Sequence, residues 1–374
     1  MSRARAALAA LLLLAGAPDR ALAQAARRAV PAEAARIAEA EELLRRLVET
    51  YAVSGHEAAM RETVIPLLPA WASPTVDSAG NVLVRVGRGA PLVVFVAHLD
   101  ELGFEVAAIR DDGRLDVRPR GGFYLSLFEG EAALVHSARG VVPAVFAVRD
   151  SVGPAPRRTP PALRVDLGVG SRDAAEALGV RPGDAVTMPK QYVRLALTRA
   201  TARSFDDRAG VAAQILALRR LDPSTLTRSA LFVVSVREET GLEGARAVAA
   251  ATAAERPVRV HAVDTFVSSD GPLDPRTFAF APLGAGPVAR AVDNGSVTPP
   301  ELLDSLVALA RSRRIPLQVG TTNGGNDGSV FTRYGTPDVP VGWPGRSSHS
   351  PVEVLDLRDL VALSDLIQAI VERW

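Results

Sequence analysis

The apolar positions of this chain fall into short unbroken runs more often than into strict alternation. Pro91-Leu-Val-Val-Phe-Val-Ala97 and Leu231-Phe-Val-Val-Ser-Val236 are nearly continuous, the texture of strands buried on both faces of a sheet. Helical spacings lie between such runs: Ile37, Leu44, Leu47 and Val48 within 33–50, and Val211, Ile215, Leu216, Leu218 and Leu221 after Asp206. A second early helix is predicted over 57–71, interrupted by Pro66, and further helices around 244–251, 300–313 and 359–373. Alternating strands and helices predict an α/β protein with a mainly parallel sheet and helices on both faces.

The texture changes between about 107 and 195. Short strands are predicted at 115–119, 133–136 and 140–146, with a Pro/Arg-rich loop over 153–161 and a short helix at 172–178. Short strands with turn signals predict a small β-barrel or sandwich. The α/β pattern resumes after it, so the expected organisation is an α/β body over 33–106 and 196–374 with an inserted β domain over 107–195.

Several of the apolar runs end in residues that can bind a cation. The first reaches His98-Leu-Asp-Glu101, and the second reaches Glu238-Glu239 and a glycine-bearing turn. Val258-Arg-Val-His-Ala-Val263 ends in Asp264, and Asp338-Val-Pro-Val-Gly-Trp343 leads to His349. Asp206-Asp207 opens a helical pattern. Each has an ordinary structural use: a hydrogen-bonded histidine, a helix cap worth roughly 0.5–2 kcal/mol, or a turn residue. Together they deliver His, Asp, Asp, Glu and His to the carboxyl ends of strands, where open α/β sheets carry their sites.

Imidazole and carboxylate donors without thiols suit zinc, cobalt or manganese. Two histidines and three carboxylates fit two divalent ions with one carboxylate shared. Of the adjacent glutamates, one can bind metal while the other moves a proton of water. Asp100, two residues after His98, is positioned to receive the other ring N–H of that histidine.

Composition narrows the classes. The chain has 374 residues, 48% of them hydrophobic, enough for a large core. Lys and Arg number 43 against 42 Asp and Glu, with only three Trp and no basic tract, so nucleic acid is not an expected partner. No cysteine is present, which excludes a thiol nucleophile and disulfides. Gly-x-Ser-x-Gly is absent, which weakens a serine hydrolase reading. Arg3 and Arg5, the apolar stretch Ala6–Ala17 and Ala21-Leu-Ala23 read as a signal peptide over 1–23 followed by a linker over 24–32. The expectation is a periplasmic or secreted enzyme with no membrane attachment after cleavage.

The ordered motifs resemble the dinuclear metallo-aminopeptidases that include the glutamyl and the tetrahedral aminopeptidases. They are Ser54-Gly-His-Glu57, Asp77-Ser-Ala-Gly-Asn81, Ala97-His-Leu-Asp-Glu-Leu-Gly-Phe104, Gly121-Gly122 and Phe205-Asp-Asp-Arg-Ala-Gly210. Arg237-Glu-Glu-Thr-Gly-Leu-Glu-Gly-Ala245, Val263-Asp264, Gly324-Gly-Asn-Asp327 and Arg346-Ser-Ser-His-Ser-Pro351 complete the set. The resemblance implies a zinc-exopeptidase-like fold and an inserted barrel that serves assembly and covers the site. It implies that His98, Asp206 and Asp264 hold one metal and that Asp206, Glu239 and His349 hold the other. Glu238 would be the general acid/base, Asp100 the partner of His98, and the peptide between Asp206 and Asp207 strained. The implied partners are peptides with a free N-terminus and further copies of the chain. The family usually has Thr where Asn326 stands and an aromatic where Ser347 stands, which bears on selectivity. A related co-catalytic carboxypeptidase or acyl-amino-acid deacylase is the alternative activity, and a non-catalytic metal- or peptide-binding homologue is a third reading.

Overall fold

The computed structural model describes residues 17–148, 163–268, 270 and 280–374. The chain opens with helices α1 (Ala17–Glu49) and α2 (Ala58–Val64) and strands β1 (Thr75–Val76), β2 (Val82–Val86) and β3 (Leu92–His98). Strands β4 (Gly103–Ile109), β5 (Leu115–Arg120), β6 (Ala132–Ser137), β7 (Gly140–Phe146) and β8 (Arg164–Asp166), helix α3 (Arg172–Ala177) and β9 (Ala185–Thr187) follow. A hairpin, β10 (Val193–Arg194) and β11 (Arg199–Ala202), leads to α4 (Phe205–Arg220), β12 (Ser229–Ser235), α5 (Glu243–Thr252) and β13 (Arg259–Val267). The chain ends with β14 (Val288–Val292), α6 (Pro300–Ser312), β15 (Gln318–Thr321), β16 (Val341–Gly345), β17 (Glu353–Asp356) and α7 (Leu357–Arg373).

An eight-stranded sheet runs β1-β2-β12-β3-β13-β16-β14-β15. Its centre is parallel: β12 pairs with β3, β3 with β13, and β13 with β16. Towards the edges β2 and β14 run antiparallel to their inner neighbours, so the sheet is mixed. The apolar run of β3 is continuous because both its faces are covered. Val93, Phe95 and Ala97 join the core beneath α1, α4 and α7, while Leu92, Val94 and Val96 face α5. Gly210 lets α4 lie close against the sheet, since a Cβ there would sit 2.4 Å from the Val263 carbonyl oxygen.

Strands β4-β5-β8-β7-β6-β9 close into a barrel, which leaves no open sheet edge. Its core is aromatic: Phe104 meets Phe128 edge-on at 5.1 Å and Phe146 at 5.0 Å between ring centroids.

The N-terminal region differs from expectation. Helix α1 runs from Ala17 through the expected cleavage point after Ala23 and through the expected linker over 24–32. That segment is rich in Ala and Arg, both strong helix formers. Residues 1–16 of the expected leader and the loop over 153–161 lie outside the described residues. Among the described residues, no helix is long and apolar enough to cross a membrane.

Candidate metal centre

The parallel register sets the site. His98 ends β3 directly opposite Ser235, the last residue of β12, and the chain then leads from Ser235 to Glu238 and Glu239. Asp264 lies on the neighbouring β13. Asp206 stands in the first turn of α4 with non-helical backbone angles, and His349 occupies a loop after β16 with φ of 62°.

Asp206 is held between the two histidines. Its Oδ1 lies 3.2 Å from His98 Nε2 and its Oδ2 lies 3.5 Å from His349 Nε2. The Oδ2 atom also accepts a hydrogen bond from the Ser348 hydroxyl at 2.9 Å. Donor atoms of His98, Asp206 and Asp264 all fall within 4.8 Å of one another, as do those of His98, Glu238 and Glu239. His349 joins the second expected set pairwise, at 3.5 Å from Asp206 and 3.7 Å from Glu239. The far ring nitrogens are anchored: His98 Nδ1 lies 3.1 Å from the Asp100 carbonyl oxygen, and His349 Nδ1 lies 2.7 Å from that of Gly122. Such anchoring leaves both Nε2 atoms facing the centre.

Asp100 reaches further than the His98 ring. Its carboxylate lies 3.5 Å from Nδ1 and accepts the backbone N–H groups of Glu238 at 3.0 Å and Glu239 at 3.2 Å. One buried carboxylate therefore fixes the turn that carries both glutamates. The adjacent aspartates divide their labour. Asp206 faces the cleft, while Asp207 accepts from His98 N–H at 3.2 Å and Gly210 N–H at 2.9 Å inside the core. The peptide between them is cis.

The electrostatics are those of a site short of positive charge. Burial pushes Glu239 up to about 7, raises Glu238 well above its ordinary value and raises Asp264 from its own. His349 is driven up to about 11 despite its burial, because Glu239 and Asp206 face it. Asp206 stays below its usual range despite its burial, through hydrogen bonds with His349 and His98. The buried Glu239 Oε1 has no partner. Buried carboxylates of this density are costly unless cations compensate them, so the donor set fits divalent metal.

Some supporting residues carried no signal at the sequence level. Glu353, at the start of β17, accepts the backbone N–H of Asp206 at 3.0 Å and that of His349 at 3.1 Å, tying two distant segments together. Arg290 on β14 approaches Asp264 Oδ1 at 3.6 Å. Their contacts span more than a hundred and about thirty residues of chain, and neither ends an apolar run.

A cleft of about 800 Å³ opens over these groups. Its walls come from the sheet ends and from Phe123, Tyr124 and Leu127 on the barrel loop.

Known proteins resemble this chain over most of its length. The model of the M42 glutamyl aminopeptidase family matches residues 80–366. The lysyl aminopeptidase of Pyrococcus furiosus is 30% identical over 344 residues, covering 88% of this chain and 96% of its own. The glutamyl aminopeptidase of Lactococcus lactis is 26% identical over 341 residues, covering 87% and 94%. The Pyrococcus horikoshii TET1 peptidase, which assembles into a tetrahedron or a large octahedral shell, superposes with a TM-score of 0.81 at 32% identity, covering 89% and 99%. The expectation of a cleaved leader and a periplasmic or secreted enzyme is overturned. The two Pyrococcus proteins are matched over nearly their whole lengths and lend export no support, and residues 17–23 belong to the continuous helix α1. The periplasmic or secreted assignment is therefore withdrawn. Family match, fold and relatives agree: the chain belongs to the M42 glutamyl aminopeptidase family and is an aminopeptidase, a hydrolase acting on peptides.

Proposed function

We propose that the enzyme removes N-terminal residues from peptides at a centre for two divalent ions, zinc being the best chemical fit, with cobalt or manganese as alternatives. In this reading His98, Asp206 and Asp264 would hold one ion and Asp206, Glu239 and His349 the other, with Asp206 shared between them. The observation that carries it is the placement of the two Asp206 oxygens, one towards each histidine at 3.2 and 3.5 Å. Ions bound there would supply Lewis-acid polarisation of the scissile carbonyl and lower the pKa of water.

Glu238 is the proton carrier. Its Oε2 lies 4.0 Å from His98 Nε2, beside the centre. It takes a proton from the attacking water and returns it to the leaving amine, a role worth about 10²–10⁴-fold. Asp100 orients Glu238 by holding its backbone N–H. The surplus of carboxylates favours a substrate that brings a free α-ammonium group, which accounts for cleavage at the N-terminus.

The protein is also proposed to be a homo-oligomer, as the P. horikoshii peptidase is. Val141, Val145 and Val148 leave an apolar face on the barrel in solvent, which supports an interface there. Light scattering of the purified protein tests this, and a monomer would refute it.

The activity is tested with matched peptides bearing a free or an acetylated N-terminus, before and after a chelator and metal re-addition. The free peptide alone should be cleaved, and cleavage should disappear with the chelator and return with metal. Equal rates on the acetylated peptide would favour a deacylase or carboxypeptidase instead.

A further inference from the structure

We infer that the enzyme selects peptides whose first side chain is uncharged and apolar, in contrast to the lysyl and glutamyl specificities named for its relatives. The inference rests on the aminopeptidase reading above and concerns the part of the cleft that reading leaves unused.

Among the described residues lining the cleft, every carboxylate is already assigned. Asp206, Asp264 and Glu239 are proposed metal ligands, and Glu238 is the proton carrier. No carboxylate remains to receive a lysyl side chain. Apart from the two histidines, the only cationic lining residue described is Arg290, and both of its terminal nitrogens are engaged. Its Nη1 donates to the Gly325 carbonyl at 3.1 Å and to Asp293 at 3.3 Å. Its Nη2 donates to the Thr265 carbonyl and faces Asp264. The side chain is 3% exposed, and its unpartnered Nε–H is buried. Asn326 Nδ2 donates to the same Asp293 oxygen at 2.7 Å, which locks the pair further. Among the described residues a glutamyl side chain would therefore meet no free cation, and burying an unpaired charge is strongly unfavourable.

The remaining wall is uncharged: Thr265, Asn294, Asn323 and Ser348 contribute neutral polar groups, and its large side chains are apolar. Phe123, Tyr124 and Leu127 come from the barrel loop, Leu242 from the turn after Glu239, and Val267 from the end of β13. Tyr124 is 79% and Leu127 42% exposed at the cleft. Large apolar side chains held in solvent beside a site mark a surface that a ligand covers. Gly122 of the same loop accepts from His349, so the apolar wall is fixed relative to the centre.

The test is a panel of aminoacyl coumarin amides carrying Leu, Met, Phe, Glu or Lys, measured with the zinc-loaded wild type and with Leu127→Arg and Leu127→Asp. The wild type should show kcat/KM at least about tenfold higher for Leu, Met or Phe than for Glu or Lys, the scale of discrimination one side chain gives in a pocket. Leu127→Arg should raise Glu relative to Leu by about tenfold, and Leu127→Asp should do the same for Lys, with metal content unchanged. A wild type that prefers Glu or Lys, or that is indifferent, overturns the inference while leaving the aminopeptidase reading intact. Selectivity unmoved by both Leu127 variants also overturns it. Failure to cleave any free N-terminal substrate would instead refute the reading beneath it.

Discussion

His98 and His261 are both fully buried, both lie on central strands of one sheet, and they live in opposite environments. His98 ends β3 among carboxylates, and hydrogen bonds to Asp100 and Asp206 raise its pKa well above the usual value despite burial. His261 lies in the interior of β13, stacked on Phe95 at 5.1 Å and near Trp374 at 5.2 Å. Burial there drives it down to about 3. Its Nδ1–H donates to the Val339 carbonyl at 2.7 Å, and its Nε2 has no partner. The strand interior thus rejects positive charge and the strand end demands it. A few residues of travel along adjacent strands convert packing into chemistry.

The hardest test of this contrast is removal of the residue that serves both histidines. Asp206→Ala should lose both metals and bring activity to background, whereas His349→Ala should keep one ion. Metal analysis of folded protein checks this, and two ions at full occupancy in Asp206→Ala would refute bridging. Next is Glu238→Gln, which keeps shape but cannot accept a proton. It should retain both ions while losing about 10²–10⁴-fold in turnover, and excess metal should not restore it. Glu239→Gln should differ: weaker metal binding, with partial recovery in excess metal. Reversal of these two patterns would exchange the roles of the glutamates.

The interior should respond in the other currency. Phe232 stacks on Phe95 at 5.0 Å and is 1% exposed. Phe232→Ala should cost about 3–5 kcal/mol of stability, read by denaturant unfolding, while the metal content of the folded fraction stays at the wild-type level. Metal loss without destabilisation would mean that core and site are not separable along the strand.

The same contrast explains what was legible in the sequence. The runs of β3 and β12 could be read because strands covered on both faces are continuously apolar, and the residues that break such runs are conspicuous. His98, Glu238, Glu239 and Asp264 all stood out in that way, whereas His261 lies inside its run and did not. Strand direction was less legible, because apolarity is the same read either way, so the antiparallel β2 and β14 went unforeseen. Glu353 and Arg290 were missed because their meaning comes from contacts made only in the fold. Residue type alone does not separate Asp206 from Asp207, and only the family resemblance singled out Asp206; the chain path at the start of α4 sends one to the cleft and the other to the core. Residues 17–32 were read as the end of a leader and a linker because an Ala- and Arg-rich stretch fits those as well as it fits the helix it forms.

The smallest expected effect tests the interior histidine through its proton. With an ordinary pKa of 6.5 unfolded and about 3 folded, His261 is neutral in both states above pH 6.5. Below that value the unfolded chain binds a proton that the folded protein refuses, so stability falls as pH falls from 6.5 towards 3. One group with this shift removes about 1.4 kcal/mol between pH 7.5 and 5.5. His261→Gln keeps a hydrogen-bond donor but does not titrate. Its unfolding free energy should therefore fall between those pH values by about 1.4 kcal/mol less than that of the wild type, whatever its absolute stability. The difference between the two slopes cancels the titration of His98, His349 and the carboxylates, which both proteins share. Parallel pH profiles for wild type and variant would show that His261 does take up a proton in the folded state. The opposition between strand interior and strand end would then fail at the residue chosen to display it.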